Sequence, residues 1–143
     1  MEKNVHTFIG CDCEYDEAKI VLFGAPYDST TSFRPGTRFA SSAMRNESFG
    51  IETYSPYQDK DLLDVNVFDM IGGEHLVTLG AVRAVAEKYP DLHIIHFDAH
   101  ADLRDDYLGV KESHACVLHR CWDIVGDGKI YQFGIRSGDR DEF

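Results

Sequence analysis

A chain of 143 residues has room for one domain with a real core and not for two ordinary ones. Its 43% hydrophobic and 27% charged residues are those of a globular rather than a disordered protein. The net charge of −11 argues against nucleic acid or an anionic membrane as partner and suits a cationic substrate or divalent metals. No apolar run is long enough to cross a bilayer, and residues 1–6 lack the apolar core of a secretory signal, so a cytoplasmic location is expected.

The four cysteines are Cys11, Cys13, Cys116 and Cys121, and reduced thiols are the expected state without a signal peptide. Cys11 and Cys13 stand too close for a Cys-x-x-Cys half-site. His114, Cys116, His119 and Cys121 cluster without any standard zinc spacing, so the two thiols read as small apolar residues of a short helix.

Taken in chain order, Lys19 to Gly24 is a short apolar run ending in glycine and reads as a buried strand. The polar, proline-bearing stretch Ala25 to Ser32 is a loop. Thr37 is placed to cap a helix over Arg38 to Phe49. Phe33, Phe39 and Phe49 are expected in the core, while Arg34 and Arg38 face solvent or an acidic neighbouring subunit. Leu62 to Asp69 reads as a second strand. Leu76 to Tyr89 is the clearest helix, with Leu76, Leu79, Ala81, Val82, Val85 and Ala86 on one stripe and Pro90 as its stop.

Asp91 to Phe97 is a third strand, apolar enough for a sheet covered on both faces. Within it His93 and His96 read as structural, satisfied by buried hydrogen bonds. A short helix over Ala115 to Asp123 and a fourth strand over Lys129 to Ile135 complete the pattern. Strands alternating with helices predict an α/β domain with a mainly parallel sheet, whose functional residues gather at the strands' carboxyl ends.

Three clusters fall at such ends: Asp28, Gly72-Gly73-Glu74-His75, and Asp98-Ala99-His100-Ala101-Asp102. Spacing of i, i+2 and i+4 in an extended segment sends Asp98, His100 and Asp102 to one side, a natural cation site. Carboxylates with imidazole suit Mn²⁺ better than thiolates would. The glycine pair lets the chain turn sharply and sets His75 at a helix start. His114 follows as a candidate proton carrier, its imidazole suited to transfer near neutral pH.

The segments Gly24-Ala25-Pro26-Tyr27-Asp28, Arg34-Pro35-Gly36-Thr37-Arg38, Gly72-Gly73-Glu74-His75, His96 to Asp102, and Ser113-His114-Ala115 together resemble the ureohydrolases, the arginase and agmatinase family. The resemblance touches most of the chain from Lys19 onward. It implies a three-layer α/β/α arginase-like fold with a mainly parallel sheet. It also implies hydrolysis of a guanidino group to urea by hydroxide held between two Mn²⁺ ions. By position, His75, Asp98 and Asp102 would bind one ion and His100 the other, with Asp98 bridging. His114 would serve the departing amine.

Asp102-Leu103-Arg104-Asp105-Asp106-Tyr107 is similar to bacterial-type agmatinases, so agmatine, giving putrescine and urea, is the expected substrate. Arginase or another guanidino-acid hydrolase is the alternative. A homo-oligomer, trimer or hexamer, is implied as well.

Two departures from the family pattern stand out. The family's second Asp-x-Asp metal motif is absent before Phe143. The junction Asp69-Met70-Ile71 also leaves no room for the crossover that two parallel strands require, which takes about a dozen residues or more. The expectation is therefore a single partial domain over 1–143, the N-terminal half of the family fold, with an internal gap near 70–71. A zinc amide hydrolase of the deacetylase kind and a non-catalytic metal-binding or assembly module are the competing readings.

Overall fold

The computed structural model describes residues 6–11, 14–18, 20–61 and 69–143. They fall into two compact units, Met1–Asp28 with Pro35–Gly73, and Ser29–Arg34 with Glu74–Phe143.

In the first unit, β1 (Leu22–Ala25) leads through a 3₁₀ turn (Thr37–Phe39) to α1 (Ala40–Ser48). A two-residue antiparallel pair follows, β2 (Tyr54–Ser55) with β3 (Lys60–Asp61). β4 (Asp69–Gly72) then runs parallel to β1, with Leu22 opposite Asp69 and Ala25 opposite Gly72. The strand expected over 62–69 is described only at Asp69; the rest of it lies outside the described residues. The strand that is seen lies further along the chain and includes Met70 and Ile71.

Thr37 does not cap the helix with its side chain. The Asp28 carboxylate accepts from the Gly36 N–H at 2.6 Å instead, and Arg38, its side chain exposed to solvent as expected, pairs with the same carboxylate at 2.8 Å. Two glycines are required here. Gly36 has φ 150°, where a side chain would be strained, and a Cβ on Gly73 would sit 1.8 Å from the Tyr27 carbonyl oxygen.

In the second unit, α2 (Val77–Lys88) precedes β5 (Ile94–Phe97). A 3₁₀ turn (His114–Cys116) opens α3 (Val117–Val125), and β6 (Ile130–Phe133) pairs parallel with β5, Ile94 opposite Ile130 and His96 opposite Gln132. The core lies between the helices and this strand pair. Leu79 and Val82 of α2 meet Val117, Leu118, Cys121 and Val125 of α3, with Ile94 and Ile130 beneath them. The periodic stripe of α2 thus buries the side its spacing selects, and removing these side chains from water drives the packing.

Several expectations need correction. Phe33, Phe39 and Phe49 are 76%, 61% and 63% exposed, not core. Among the described residues the β5–β6 pair is covered on one face only: Ile95, Phe97, Tyr131 and Phe133 on the other face are all exposed. His93 is exposed and stacks on Tyr131 rather than being buried. An apolar or aromatic residue type reports a preference for burial, not the presence of a covering layer. The cysteines of the 3₁₀ turn and α3 do read as expected: Cys116 and Cys121 are fully buried, and the low-dielectric surroundings push the Cys121 thiol up to about 11.

Candidate metal centre

The site lies within the second unit, where β5 ends. β5 stops at Phe97, and residues 98–101 are held against the 133–137 segment. The Asp98 N–H donates to the Phe133 carbonyl, and the Arg136 and Ser137 N–H groups donate to Ala99. The segment is not a simple extended run. It bends at Ala99, and Asp102 takes φ 53°, the left-handed region that non-glycine residues seldom enter. The Asp102 carbonyl accepts from the Leu118 N–H at 3.0 Å, which ties this turn to the start of α3. Strained backbone held by surrounding bonds is common where side chains must converge.

That bend decides which ligands meet. Among the described residues, His75, His96, Asp98 and Asp102 form a group whose donor atoms lie within 4.8 Å of one another. His75 Nδ1 is 2.8 Å from Asp102 Oδ2, and the His75 ring stacks on His96 with centroids 5.2 Å apart. His100 stays outside the group. Its side chain is 63% exposed, and both its N–H and its ring Nδ1 lie against Asp98 Oδ1, at 2.7 and 3.1 Å. Asp98 thus meets His100 through Oδ1 and also joins Asp102 in the group, while His100 itself stays outside it.

Burial on its own raises the Asp98 pKa. The His100 N–H and ring, together with the His75 and His96 imidazoles, outweigh it and hold the carboxyl below its ordinary value. Burial, and then the neighbouring His75, push the His96 pKa down, against the pull of Asp98 and Asp102. The result favours an anionic Asp98 carboxylate beside a neutral His96 imidazole, in a carboxylate-and-imidazole donor set that suits a divalent cation. Oxygen and imidazole donors without thiolate fit Mn²⁺.

A cleft of about 410 Å³ opens over this group, and His75, Asp98, His100, Asp102 and His114 all line it. His114 sits in the 3₁₀ turn before α3. Its N–H donates to Thr30 Oγ1 at 3.2 Å, and its ring meets Tyr107 edge-on. Its Nδ1 is buried with no hydrogen-bond partner among the described residues. Ser113 does not cap the helix with its hydroxyl, which instead donates to Cys116 Sγ. Cys116 and His119 bond elsewhere, to the Val110 and Leu103 carbonyls, and do not assemble a thiolate site.

Sequence reasoning missed two contributors. Glu74 is only 5% exposed and anchors the 29–34 segment over the cleft. It accepts from the Thr30 N–H at 2.9 Å and from the Thr30 hydroxyl, while its other oxygen accepts from the Leu76 N–H. Its place beside His75 was visible, but its partner 44 residues away was not. His96 read as an ordinary core histidine, yet it stands inside the ligand group.

Comparison with known proteins bears on the same residues. The sequence model of the arginase family matches residues 18–70 and 68–143, two stretches that overlap at 68–70. Agmatinase of Bacillus subtilis is 41% identical over 95% of this chain and 58% of its own length. That alignment runs over 169 positions, more than the 143 residues of the chain, so it includes positions the chain lacks.

The agmatine ureohydrolase structure from Thermoplasma volcanium superposes with a TM-score of 0.86 at 32% identity, covering 97% of this chain and 57% of that one. Arginase from Medicago truncatula gives a TM-score of 0.73 at 26% identity, over 85% and 51%. The fold is thus arginase-like α/β with parallel strands, and the chain spans a little over half the length of these relatives, 58% of the Bacillus protein. With the family profile covering nearly all of it and the His-Asp group at its strand end, this chain belongs to the arginase family.

Proposed function

We propose that this chain carries the N-terminal part of a manganese-dependent centre that hydrolyses a guanidino compound, agmatine first, to putrescine and urea. The observation that carries this reading is the convergence of His75, Asp98 and Asp102 at one point beneath an acidic cleft. These three would hold one ion. His100, on the far side of Asp98, would serve a second with Asp98 between them. When bound, manganese supplies the Lewis acidity that makes water a nucleophile near neutral pH.

The chain's own residues do the rest. Asp98 and Asp102 give the cleft a negative field that draws a guanidinium in, Glu142 being paired with Arg104. Phe33 and Tyr107 wall it, and Glu74 keeps the segment bearing Phe33 in place through Thr30. His114, on the cleft wall, would pass a proton to the departing amine.

The gap near 70–71 and the span of the relatives imply that the 143 residues form a partial domain. Little or no urea release from agmatine is expected of them alone. A cytoplasmic, homo-oligomeric protein remains the reading for the whole.

Titration with Mn²⁺, followed by electron paramagnetic resonance, tests the centre. Binding that disappears in Asp98→Ala is expected; binding indifferent to that substitution sinks the reading. Urea release measured alongside would overturn the partial-domain argument if the 143 residues turned agmatine over.

A further inference from the structure

Four side chains converge at the candidate centre, but hydrogen bonding separates one of them from the other three. His96 is only 8% exposed, and its Nδ1 lies 3.0 Å from Gln132 Nε2 on the paired strand. The same Gln132 nitrogen lies 2.7 Å from the Ala101 carbonyl oxygen. A carbonyl oxygen accepts and cannot donate, so the atom facing it must be the amide NH₂. Turning the amide over would set oxygen against oxygen. One amide hydrogen goes to Ala101, and the other points to His96 Nδ1, which must therefore accept.

An imidazole that accepts at Nδ1 carries its hydrogen on Nε2. That Nε2 is buried without a hydrogen-bond partner among the described residues, and it lies 3.7 Å from Asp98 Oδ2. The other Asp98 oxygen is already taken by the His100 N–H at 2.7 Å. A nitrogen bearing a hydrogen has no lone pair to offer a cation, but it is a ready donor to the nearby carboxylate. Burying it unsatisfied is costly unless it acts as such a donor.

We propose that Gln132, fixed by the Ala101 carbonyl, locks His96 in its Nε2–H tautomer, making His96 a positioning donor to Asp98 and not a ligand of the cation. The inference rests on the metal-centre reading for its consequence, but its tautomer can be read without any metal. Groups that orient a ligating carboxylate typically change metal affinity by about 10–100-fold when removed.

The first experiment is long-range ¹H–¹⁵N NMR of the histidine rings in the metal-free 143-residue chain, repeated with Zn²⁺ as a diamagnetic probe. A protonated Nε2 and bare Nδ1 at His96, unchanged by Zn²⁺, are expected. A hydrogen on Nδ1, or loss of the Nε2 hydrogen on adding metal, overturns the proposal while leaving the centre itself standing.

The second experiment is Mn²⁺ affinity in two variants. His96→Gln keeps an N–H donor near the Nε2 position and should stay close to the parent. His96→Phe has no donor and should bind about 10–100-fold more weakly. Equal losses in both variants would make His96 a ligand, and no loss in His96→Phe would end the positioning role. Absence of Mn²⁺ binding in the parent would instead bring down the metal-centre reading, and the positioning role with it.

Discussion

The two faces of the β5–β6 pair invert the usual rule. The face packed under α2 and α3 begins apolar, with Ile94 and Ile130, and ends polar, with His96 and Gln132 side by side. The open face is apolar throughout: Ile95 opposite Tyr131, and Phe97, 79% exposed, stacked on Phe133. Buried polar groups are costly and need specific partners, whereas exposed apolar groups cost little where they stand. The polar pair on the packed face therefore marks where the fold gives up packing for chemistry, at the carboxyl end of the strands. The open face has the composition of a covered layer, with no cover among the described residues, in a chain that spans 58% of its Bacillus relative.

The largest effect should come from the packed face. Leu118 is 1% exposed at the centre of the α2–α3 core. Leu118→Ala leaves a cavity and should cost about 2–5 kcal/mol in urea denaturation. A loss below about 1 kcal/mol would mean that this face is loosely packed, and the contrast between faces would fail.

Next in size is Gln132→Leu. It preserves volume and adds apolar surface, so a purely hydrophobic reading predicts a gain. The Ala101 carbonyl and His96 Nδ1 would both lose their donor, and a loss of about 1–3 kcal/mol is expected instead. A stabilised variant would show that the polar pair contributes nothing to the folded state.

The same contrast explains what could be read in advance. The residues of the Asp98–Asp102 run and the glycine-led His75 were legible because their spacing is local, and a local pattern needs no partner to be recognised. The stripe of α2 was legible for the same reason. His96 was not, because a lone histidine in an apolar run has the signature of a core residue, and its role depends on Gln132 36 residues away.

The separation of His100 from Asp102 hinged on the left-handed turn at Asp102, which alternation along a strand does not anticipate. Phe33, Phe39 and Phe49 misled for the opposite reason: aromatic character is in the residue, but burial depends on what lies above it. The parallel run of the strands was expected, but the carboxyl end of β4 was missed because Gly72 read as part of a sharp turn.

A smaller effect belongs to pH. Cys121 lies in the packed core, and burial raises its thiol from the ordinary 9.0 to about 11. The folded state thus favours the protonated thiol more than the unfolded chain does. Its contribution is complete below about pH 9 and declines as pH rises toward 11. Stability measured across that window should fall, and the fall should shrink in Cys121→Ala once that variant's own cavity cost is subtracted. A pH profile identical in both proteins would remove Cys121 from the cause.

The smallest effect is expected on the open face, and it is the sharpest check on the comparison. Phe97→Thr exchanges an exposed ring for a residue that favours strands equally well, and it removes one aromatic pair with Phe133. Surface substitutions of this kind fall within about 0.5 kcal/mol, and the lost ring pair adds about as much again. Thermal unfolding of the 143-residue chain should therefore shift by no more than a few degrees, in contrast to Leu118→Ala. A loss as large as that of Leu118→Ala would mean that Phe97 is buried in solution. Sedimentation would then decide whether self-association covers it: a monomer that still loses that much stability would contradict the open face itself.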